Sequence, residues 1–169
     1  GVIRIFDLES REVKLALRAG DPAGLPFNMD GSLLLVASGK EVLSFDALSG
    51  TLQPIGLSST DRLFSMSLSP DGKQMVAGAL DRTLRLWDLS TKGPAQVPSS
   101  HDREIMGLRF SHDGTHVASG AWNGTILIWD VHSGEPVRLI RGHSGGLSGL
   151  AFGPGDQLLA SASDDGTVR

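Results

Sequence analysis

The stretch Thr115–Asp130, THVASGAWNGTILIWD, decides the fold of this chain. Two short runs rich in β-branched and aliphatic residues flank the step Asn123-Gly124. Such a step supplies the positive φ that a tight hairpin turn needs. The side-chain pattern repeats every two residues and not every 3.6, which is typical of strands and not of a helix. The stretch therefore predicts two antiparallel strands joined by a hairpin turn.

The same pattern returns along the chain with a period close to 42 residues. An aromatic–Asp pair ends each unit, with spacings of 39, 42 and 42 residues between the Asp residues of Phe6-Asp7, Phe45-Asp46, Trp87-Asp88 and Trp129-Asp130. A turn marker stands at Met29-Asp30-Gly31, Pro70-Asp71-Gly72 and His112-Asp113-Gly114, and in scrambled form at Gly153-Pro154-Gly155-Asp156. A third marker, a run of small residues, stands at Val36–Gly39, Val76–Ala79, Val117–Gly120 and Leu159–Ala162. Three markers in one fixed order identify a repeat protein.

Each repeat is predicted to contain four short strands. In the third repeat they are Ile105–Phe110, Thr115–Gly120, Thr125–Asp130 and Pro136–Arg141. One four-stranded sheet cannot bury both of its faces alone, so neighbouring sheets must stack on each other. The predicted fold class is all-β, with four-stranded antiparallel sheets repeated around an axis.

Composition excludes several classes of function. The 169 residues carry a formal net charge of −4 and no Cys, which excludes disulfide frameworks and thiolate chemistry. A mildly acidic, evenly mixed chain lacks the basic footprint expected for nucleic acid or membrane partners. The longest aliphatic run, Leu33–Ala37, is far too short to cross a bilayer. No charged-then-apolar leader is visible after Gly1, and we expect a cytoplasmic location.

These residues resemble the WD-repeat (WD40) family of β-propellers. Gly142-His143 is similar to the family's Gly-His pair, and Trp87-Asp88 and Trp129-Asp130 are similar to its Trp-Asp pair. The run Asp164–Arg169 resembles the turn that leads into a third strand. The resemblance covers the whole chain and implies a β-propeller of four-stranded blades, with about four WD40 repeats that form part of a larger ring.

The resemblance also implies a buried tetrad in each blade: a His, a hydroxyl residue, an Asp and the Trp. These four groups satisfy one another's hydrogen bonds inside the blade. The matching residues are His101, Ser119, Asn123 and Trp129 in the third repeat, with Asn123 where Asp is usual, and His143, Ser161 and Asp165 in the fourth. The second repeat keeps Asp81 and Trp87, but Ser59 and Ala77 occupy the His and Ser positions.

In such propellers the top face binds partners through the residue before the tetrad Asp and the residues one and three after the His. Mapped onto this chain, the main candidates are Arg62, Leu80, Asp102, Glu104, Trp122 and Asp164. Trp122 beside polar neighbours suits a binding anchor. The alternative is that Trp122 lies across an adjacent blade as packing between blades.

The resemblance implies a non-catalytic scaffold that docks proteins or peptides, with no cofactor and no metal. An alternative is the regulatory array of a longer signalling enzyme, such as a kinase or protease-like protein. A remote alternative is a serine hydrolase, because Gly142–Gly146 fits G-x-S-x-G around Ser144. That elbow needs a helix after the Ser, whereas the run that follows is short and ends at Gly153-Pro154. No His remains after Ser144 to act as the base.

The repeats divide the chain at regular positions. Residues 1–18 hold the third and fourth strands of a partial blade, and residues 142–169 form an incomplete repeat. Between them lie a degenerate repeat at 19–58 and repeats at 59–99 and 100–141. The two halves of the split blade could pair with each other within one chain or with a second copy of the chain. We favour the interpretation that the chain is a segment of a longer array. Open blade edges would then permit self-association if no further repeats complete them.

Overall fold

The computed structural model is all-β and describes residues 1–28, 30–91, 93–97 and 101–169, with the backbone alone for residues 54 and 93–97. Met29 of the first turn marker and the predicted repeat boundary at residues 99 and 100 lie outside the described residues. Within the described ranges no α-helix occurs. The all-β fold class predicted from the sequence is confirmed.

The strands form five antiparallel sheets in chain order. The first sheet pairs β1 (Val2–Phe6) with β2 (Val13–Arg18), and the last pairs β15 (Leu147–Phe152) with β16 (Leu159–Ser163). Between them stand three four-stranded sheets: β3 (Pro22–Ala23), β4 (Leu33–Ser38), β5 (Glu41–Asp46) and β6 (Leu52–Ser58); β7 (Leu63–Leu68), β8 (Gln74–Ala79), β9 (Leu84–Asp88) and β10 (Gly93–Val97); β11 (Ile105–Phe110), β12 (His116–Ala121), β13 (Ile126–Asp130) and β14 (Pro136–Ile140).

The last sheet continues past β16. The backbones of Ser161 and Arg169 exchange two hydrogen bonds of 2.8 and 2.9 Å, and Ala162 bridges Val168. A short 3₁₀ turn, Pro154–Asp156, lies between β15 and β16. Residues 167–169 therefore run alongside β16 in the position of a third strand.

Strands β12 and β13 begin one residue later than the sequence indicates. The N–H of Thr115 donates to Asp113 Oδ1 at 2.9 Å, and the N–H of Thr125 donates to Asn123 Oδ1 at 3.3 Å. Because both amides bond to side chains of the preceding turn, the two Thr residues complete the turns, and the ladders start after them.

The sheets stack through four apolar clusters, each built from two consecutive sheets. In strand β4, successive side chains point to opposite faces and pack against different neighbouring sheets. Leu34 and Val36 pack with Ile3 of the first sheet, whereas Leu35 and Ala37 pack with residues of the third sheet such as Leu63. The other two clusters join the third sheet to the fourth and the fourth to the fifth. Each central strand is therefore buried on both faces.

Close approach between sheets requires glycine at one repeated position. A Cβ on Gly78 would lie 2.7 Å from Cβ of Ile105, and one on Gly120 would lie 2.8 Å from Cβ of Leu147. Ile105 and Leu147 begin the first strands of the next sheets and are buried. The glycines therefore let the first strand of one sheet rest against the second strand of the sheet before it.

Turns alternate between the two ends of the strands. We call one end the top face; it carries turns 80–83, 122–125 and 164–167 and loops 59–62, 101–104 and 143–146. The lower end carries the turns at Asp30-Gly31, Asp71-Gly72 and Asp113-Gly114 and the turns that follow the aromatic–Asp pairs. There Asp130 Oδ1 accepts the N–H of Ser133 at 2.7 Å, and Asp46 Oδ1 accepts that of Ser49 at 2.7 Å. The Asp of each pair therefore shapes a lower turn.

Candidate functional site

A buried polar network lies beneath the top face of the fourth sheet. Ser119 Oγ, fully buried on β12, accepts the indole N–H of Trp129 at 2.6 Å and lies 2.7 Å from Nε2 of His101. Burial lowers the pKa of His101 to about 4, so the ring is neutral at pH 7. The Ser119 hydroxyl also lies 3.4 Å from the carbonyl of Leu127, so the same oxygen has three polar neighbours. Three of the residues that the resemblance indicated thus meet at one oxygen.

Asn123 lies at the edge of this network. Its Oδ1 accepts the hydroxyl of Thr125 at 2.7 Å, and Thr125 Oγ1 lies 3.5 Å from Nδ1 of His101. Asn123 is exposed, whereas Thr125 is buried. The described hydrogen bonds therefore connect Asn123 to the histidine through Thr125.

The fifth sheet carries a direct His–Asp contact. His143 Nδ1 donates to Asp165 Oδ2 at 2.9 Å, and its Nε2 lies 2.9 Å from Oγ of Ser161. The side chains of His143 and Asp165 are 3% and 8% exposed. Hydrogen bonds from the Thr167 hydroxyl, the Ser144 amide and His143 hold the pKa of Asp165 well below its usual range. The carboxylate thus stays ionised and ties the top turn to the loop that begins the sheet.

The third sheet replaces the histidine with an arginine. Arg85 on β9 pairs with Ala77, and its Nη2 donates to Asp81 Oδ2 at 2.9 Å and to Thr60 Oγ1 at 2.6 Å. Desolvation tends to raise the pKa of Asp81, but hydrogen bonds from Thr83 and Arg85 outweigh it and lower that pKa. Sequence reasoning missed Arg85. The signal was a cation four residues after Asp81, in a repeat that has Ser59 at the histidine position.

On the top face one backbone hydrogen bond recurs in three sheets. The N–H of Leu80 donates to the carbonyl of Arg62 at 2.7 Å, and that of Trp122 donates to the carbonyl of Glu104 at 3.0 Å. The N–H of Asp164 donates to Gly146 at 2.9 Å. In each of these sheets the bond therefore places two top-face positions side by side. Equivalent positions of successive sheets are 42 residues apart in the sequence.

Trp122 is the large aromatic side chain of this face. It is 53% exposed, whereas Trp87 and Trp129 are 2% and 1% exposed. Its Cε3 atom lies 3.2 Å from the position that a Cβ of Gly146 would take in the next sheet. The indole therefore touches the neighbouring sheet and still presents half of its surface to solvent, so the structure contains features of both interpretations of this residue.

The charged residues of the top face differ in their partners. Arg62 forms an ion pair with Asp21 and lies over the ring of Phe64, 5.4 Å from its centroid. Arg82 donates to the carbonyl of Asp102 at 3.1 Å. Arg82 also has φ = 67°, at the repeat position that Gly124 and Gly166 occupy in the next two sheets. A non-glycine residue in this left-handed region is strained. Sequence reasoning missed this position, although the absence of a glycine after Asp81 signalled it.

The segment that follows Ser144 is inconsistent with a nucleophile elbow. The residues that follow form β15 and not a helix. The N–H of Ser144 donates to Asp165 Oδ2 at 3.0 Å, so this loop is part of the polar network.

In the part of the chain that the structure describes, no three His, Cys, Asp or Glu residues are grouped to hold a metal ion. None of the described helices is long and apolar enough to span a membrane.

Stacked four-stranded antiparallel sheets, with a His–Ser–Trp network inside them, define the blades of a β-propeller. The family model described as "WD domain, G-beta repeat" matches residues 53–88, 93–130 and 134–169, more than half of the chain. The chain therefore belongs to the WD40 family. Each match begins at or near the fourth strand of one sheet and ends in the third strand of the next.

Related proteins cover a shorter part of the chain. Over 70 residues, 41% of this chain, it is 36% identical to the Intraflagellar transport protein 122 homolog of Danio rerio, and the match covers 6% of that protein. The Xenopus tropicalis homolog is 33% identical over 70 residues. Over 37 residues, 22% of this chain, it is 49% identical to Meiotic fizzy-related protein 1 of Schizosaccharomyces pombe, covering 9% of that protein. The chain matches a small fraction of the length of these relatives.

Proposed function

We propose that this chain is a non-catalytic protein-interaction platform that docks proteins or peptides on its top face. The observation that carries the proposal is the contrast among the three tryptophans. Two are buried inside sheets, and Trp122 is half exposed on a turn fixed by a backbone bond to Glu104. Aromatic side chains on rigid supports are the residues that most often anchor interfaces.

The rest of the top face supports the same proposal. Leu80, 41% exposed, occupies the position of Trp122 on the preceding sheet. WD40 repeats are in general non-catalytic interaction modules. The net charge of −4 agrees with protein partners and not with nucleic acid. A cytoplasmic location, the lack of membrane partners and self-association through open blade edges stay predictions.

A second candidate is the regulatory array of a longer signalling enzyme. The observation that bears on it is that the curated relatives are many times longer than the segments they share with this chain. Under this alternative the top face would bind a catalytic domain of the same polypeptide. A full reading frame with a kinase or protease-like domain would favour it.

The proposed function can be tested with peptides selected from a random phage-displayed library on the wild-type chain. Binding of the selected peptides is then measured for Trp122→Ala and for the control variant Leu158→Ala. Leu158 is 72% exposed and lies at the lower end, between β15 and β16. We expect Trp122→Ala to abolish binding of most of the peptides and Leu158→Ala to leave it unchanged. Equal loss in both variants, or loss in the control alone, would contradict the proposal.

A further inference from the structure

Asp164 differs from most aspartates of this protein in its lack of a partner. Across the described residues, every aspartate except Asp102 and Asp164 has a side chain that takes part in a hydrogen bond or ion pair. Asp164 is also exposed. Its carboxylate therefore reaches solvent on the top face with its hydrogen-bonding capacity unused by the chain.

Gly146 separates this carboxylate from the indole of Trp122. A Cβ placed on Gly146 would lie 3.2 Å from Oδ2 of Asp164 and 3.2 Å from Cε3 of Trp122. The aromatic side chain and the free carboxylate thus both border the space that a side chain at position 146 would fill. The backbone bond from Asp164 N–H to the Gly146 carbonyl, at 2.9 Å, fixes this arrangement.

The repeat positions equivalent to Gly146 carry long side chains, Arg62 and Glu104. One sheet earlier, the residue equivalent to Gly146 is Glu104, which lines a surface hollow together with Leu80 and Arg82. The repeat position that carries an anionic side chain beside Leu80 is therefore a glycine, without a side chain, beside Trp122. Glu104, like Asp164, has no hydrogen-bonded partner for its side chain among the described residues. The backbone of Glu104 accepts the N–H of Trp122, so a second carboxylate-bearing residue adjoins this turn.

We propose that Trp122 and Asp164, separated by Gly146, form a subsite for a cationic side chain, lysine or arginine, of a partner polypeptide. This inference rests on the proposed function of the top face. A cation over the face of an indole is attracted by the ring quadrupole, and a nearby carboxylate adds charge attraction and a hydrogen-bond acceptor. Arg82 on the preceding sheet donates to the carbonyl of Asp102, and the described ion pairs and cation–π contacts include none to Asp164 or Trp122. The cation therefore comes from the partner.

The direct test is an NMR titration of the Trp122 indole N–H signal, assigned by its loss in Trp122→Phe. The probes are two short peptides, acetyl-Gly-Arg-Gly-amide and its citrulline analogue, which has the same shape without the charge; a lysine peptide and its norleucine analogue form a second pair. We expect a saturable shift with the charged peptides and a much smaller one with the neutral peptides.

Two substitutions examine the two sides of the subsite. Asp164→Asn should weaken binding of the charged peptides about two- to fivefold, the range expected for one exposed cation–π or ionic contact. Gly146→Ala should weaken it as well, because a methyl group would occupy the space between the indole and the carboxylate. The controls are Glu135→Gln, which makes the same charge change at the lower end, and Gly107→Ala, whose Cβ would meet Leu150 at an ordinary 3.7 Å. Both should leave the affinity unchanged.

Equal shifts with charged and neutral probes, no shift with any probe, or full affinity in Asp164→Asn would each overturn the subsite. The phage selection separates this failure from failure of the proposed function. Peptides that lose binding in Trp122→Ala but contain no enriched Lys or Arg would leave the docking face intact and refute the cationic subsite. Enrichment of basic residues in those peptides, with loss of binding in Asp164→Asn, would support both.

Discussion

Replacement of Ser119 by alanine should destabilise the fourth sheet strongly although it removes a single oxygen atom. That oxygen accepts the Trp129 N–H at 2.6 Å and lies 2.7 Å from Nε2 of His101. Ser119 is fully buried and His101 is 7% exposed, so water cannot replace the lost partner. An alanine is close in size to a serine, so the substitution opens almost no cavity, and the lost hydrogen bonds account for the effect.

The magnitude follows from the two buried contacts that the substitution removes, to the Trp129 N–H and to Nε2 of His101. Each unsatisfied buried polar group costs about 1–3 kcal/mol. Partial relaxation of the strands reduces the total, and we expect a loss of about 2–4 kcal/mol in the free energy of unfolding. For a chain of this length that corresponds to roughly 5–15 °C in Tm.

Thermal melts and urea titrations measure this loss, with Ser144→Ala as the matched control. The Ser144 hydroxyl is on an exposed residue, so its removal should change the free energy of unfolding by less than about 0.5 kcal/mol. A double-mutant cycle with Trp129→Phe should give a coupling free energy of about 0.5–3 kcal/mol, because both variants break the same bond. Equal midpoints for Ser119→Ala and Ser144→Ala, or a coupling of zero, would refute the role of the network.

Four further predictions concern the top turns and the buried histidine. Asn123→Asp should raise the pKa of His101 above its value of about 4, because a carboxylate at this turn contacts the histidine directly in the next sheet; NMR titration that shows an unchanged pKa would contradict this. Arg82→Gly should stabilise the chain by up to about 1 kcal/mol by releasing the strain of a positive φ. Gly124→Ala should destabilise it, since its Cβ would lie 2.5 Å from the carbonyl oxygen of His143; urea midpoints that move in the opposite directions would refute the turn assignment. Because the pKa of His101 is lowered from 6.5 to about 4, the unfolded chain binds a proton in this interval that the folded chain does not, and stability should fall by about 3 kcal/mol as the pH drops from 6.5 to 4. Below that interval the lowered pKa of Asp165 removes further stability, because the unfolded carboxyl takes up a proton first. Urea midpoints for wild type and His101→Gln between pH 7.5 and 4 test this, and identical slopes would contradict it.

The repeat and its strands could be predicted from the sequence because they depend on local patterns. The period of two, the Asp-Gly and Asn-Gly turns and the aromatic–Asp pairs each act within a few residues of the chain. The family resemblance then supplied His101, Ser119 and Trp129, which the structure brings to one point.

The features that were missed depend on distances in the packed structure. Arg85 pairs with Ala77 in the ladder and reaches Thr60 and Asp81, and the chain order alone does not reveal these contacts. The unpartnered state of Asp164 and its position across Gly146 from the indole also require the packed structure. For Asn123, the resemblance pointed to a direct place in the tetrad, whereas the described bonds reach the histidine through a threonine.

In the function proposed above, the top face of this WD40 chain binds polypeptides through Trp122. The most direct measurement is the dissociation constant of a phage-selected peptide, determined by calorimetry for the wild type, Trp122→Ala and Leu158→Ala. Truncation of an anchor residue typically costs at least about 2 kcal/mol, so we expect Trp122→Ala to weaken binding about 30-fold or more. Leu158→Ala, at the lower end, should bind with the wild-type constant. Wild-type affinity in Trp122→Ala would contradict the account.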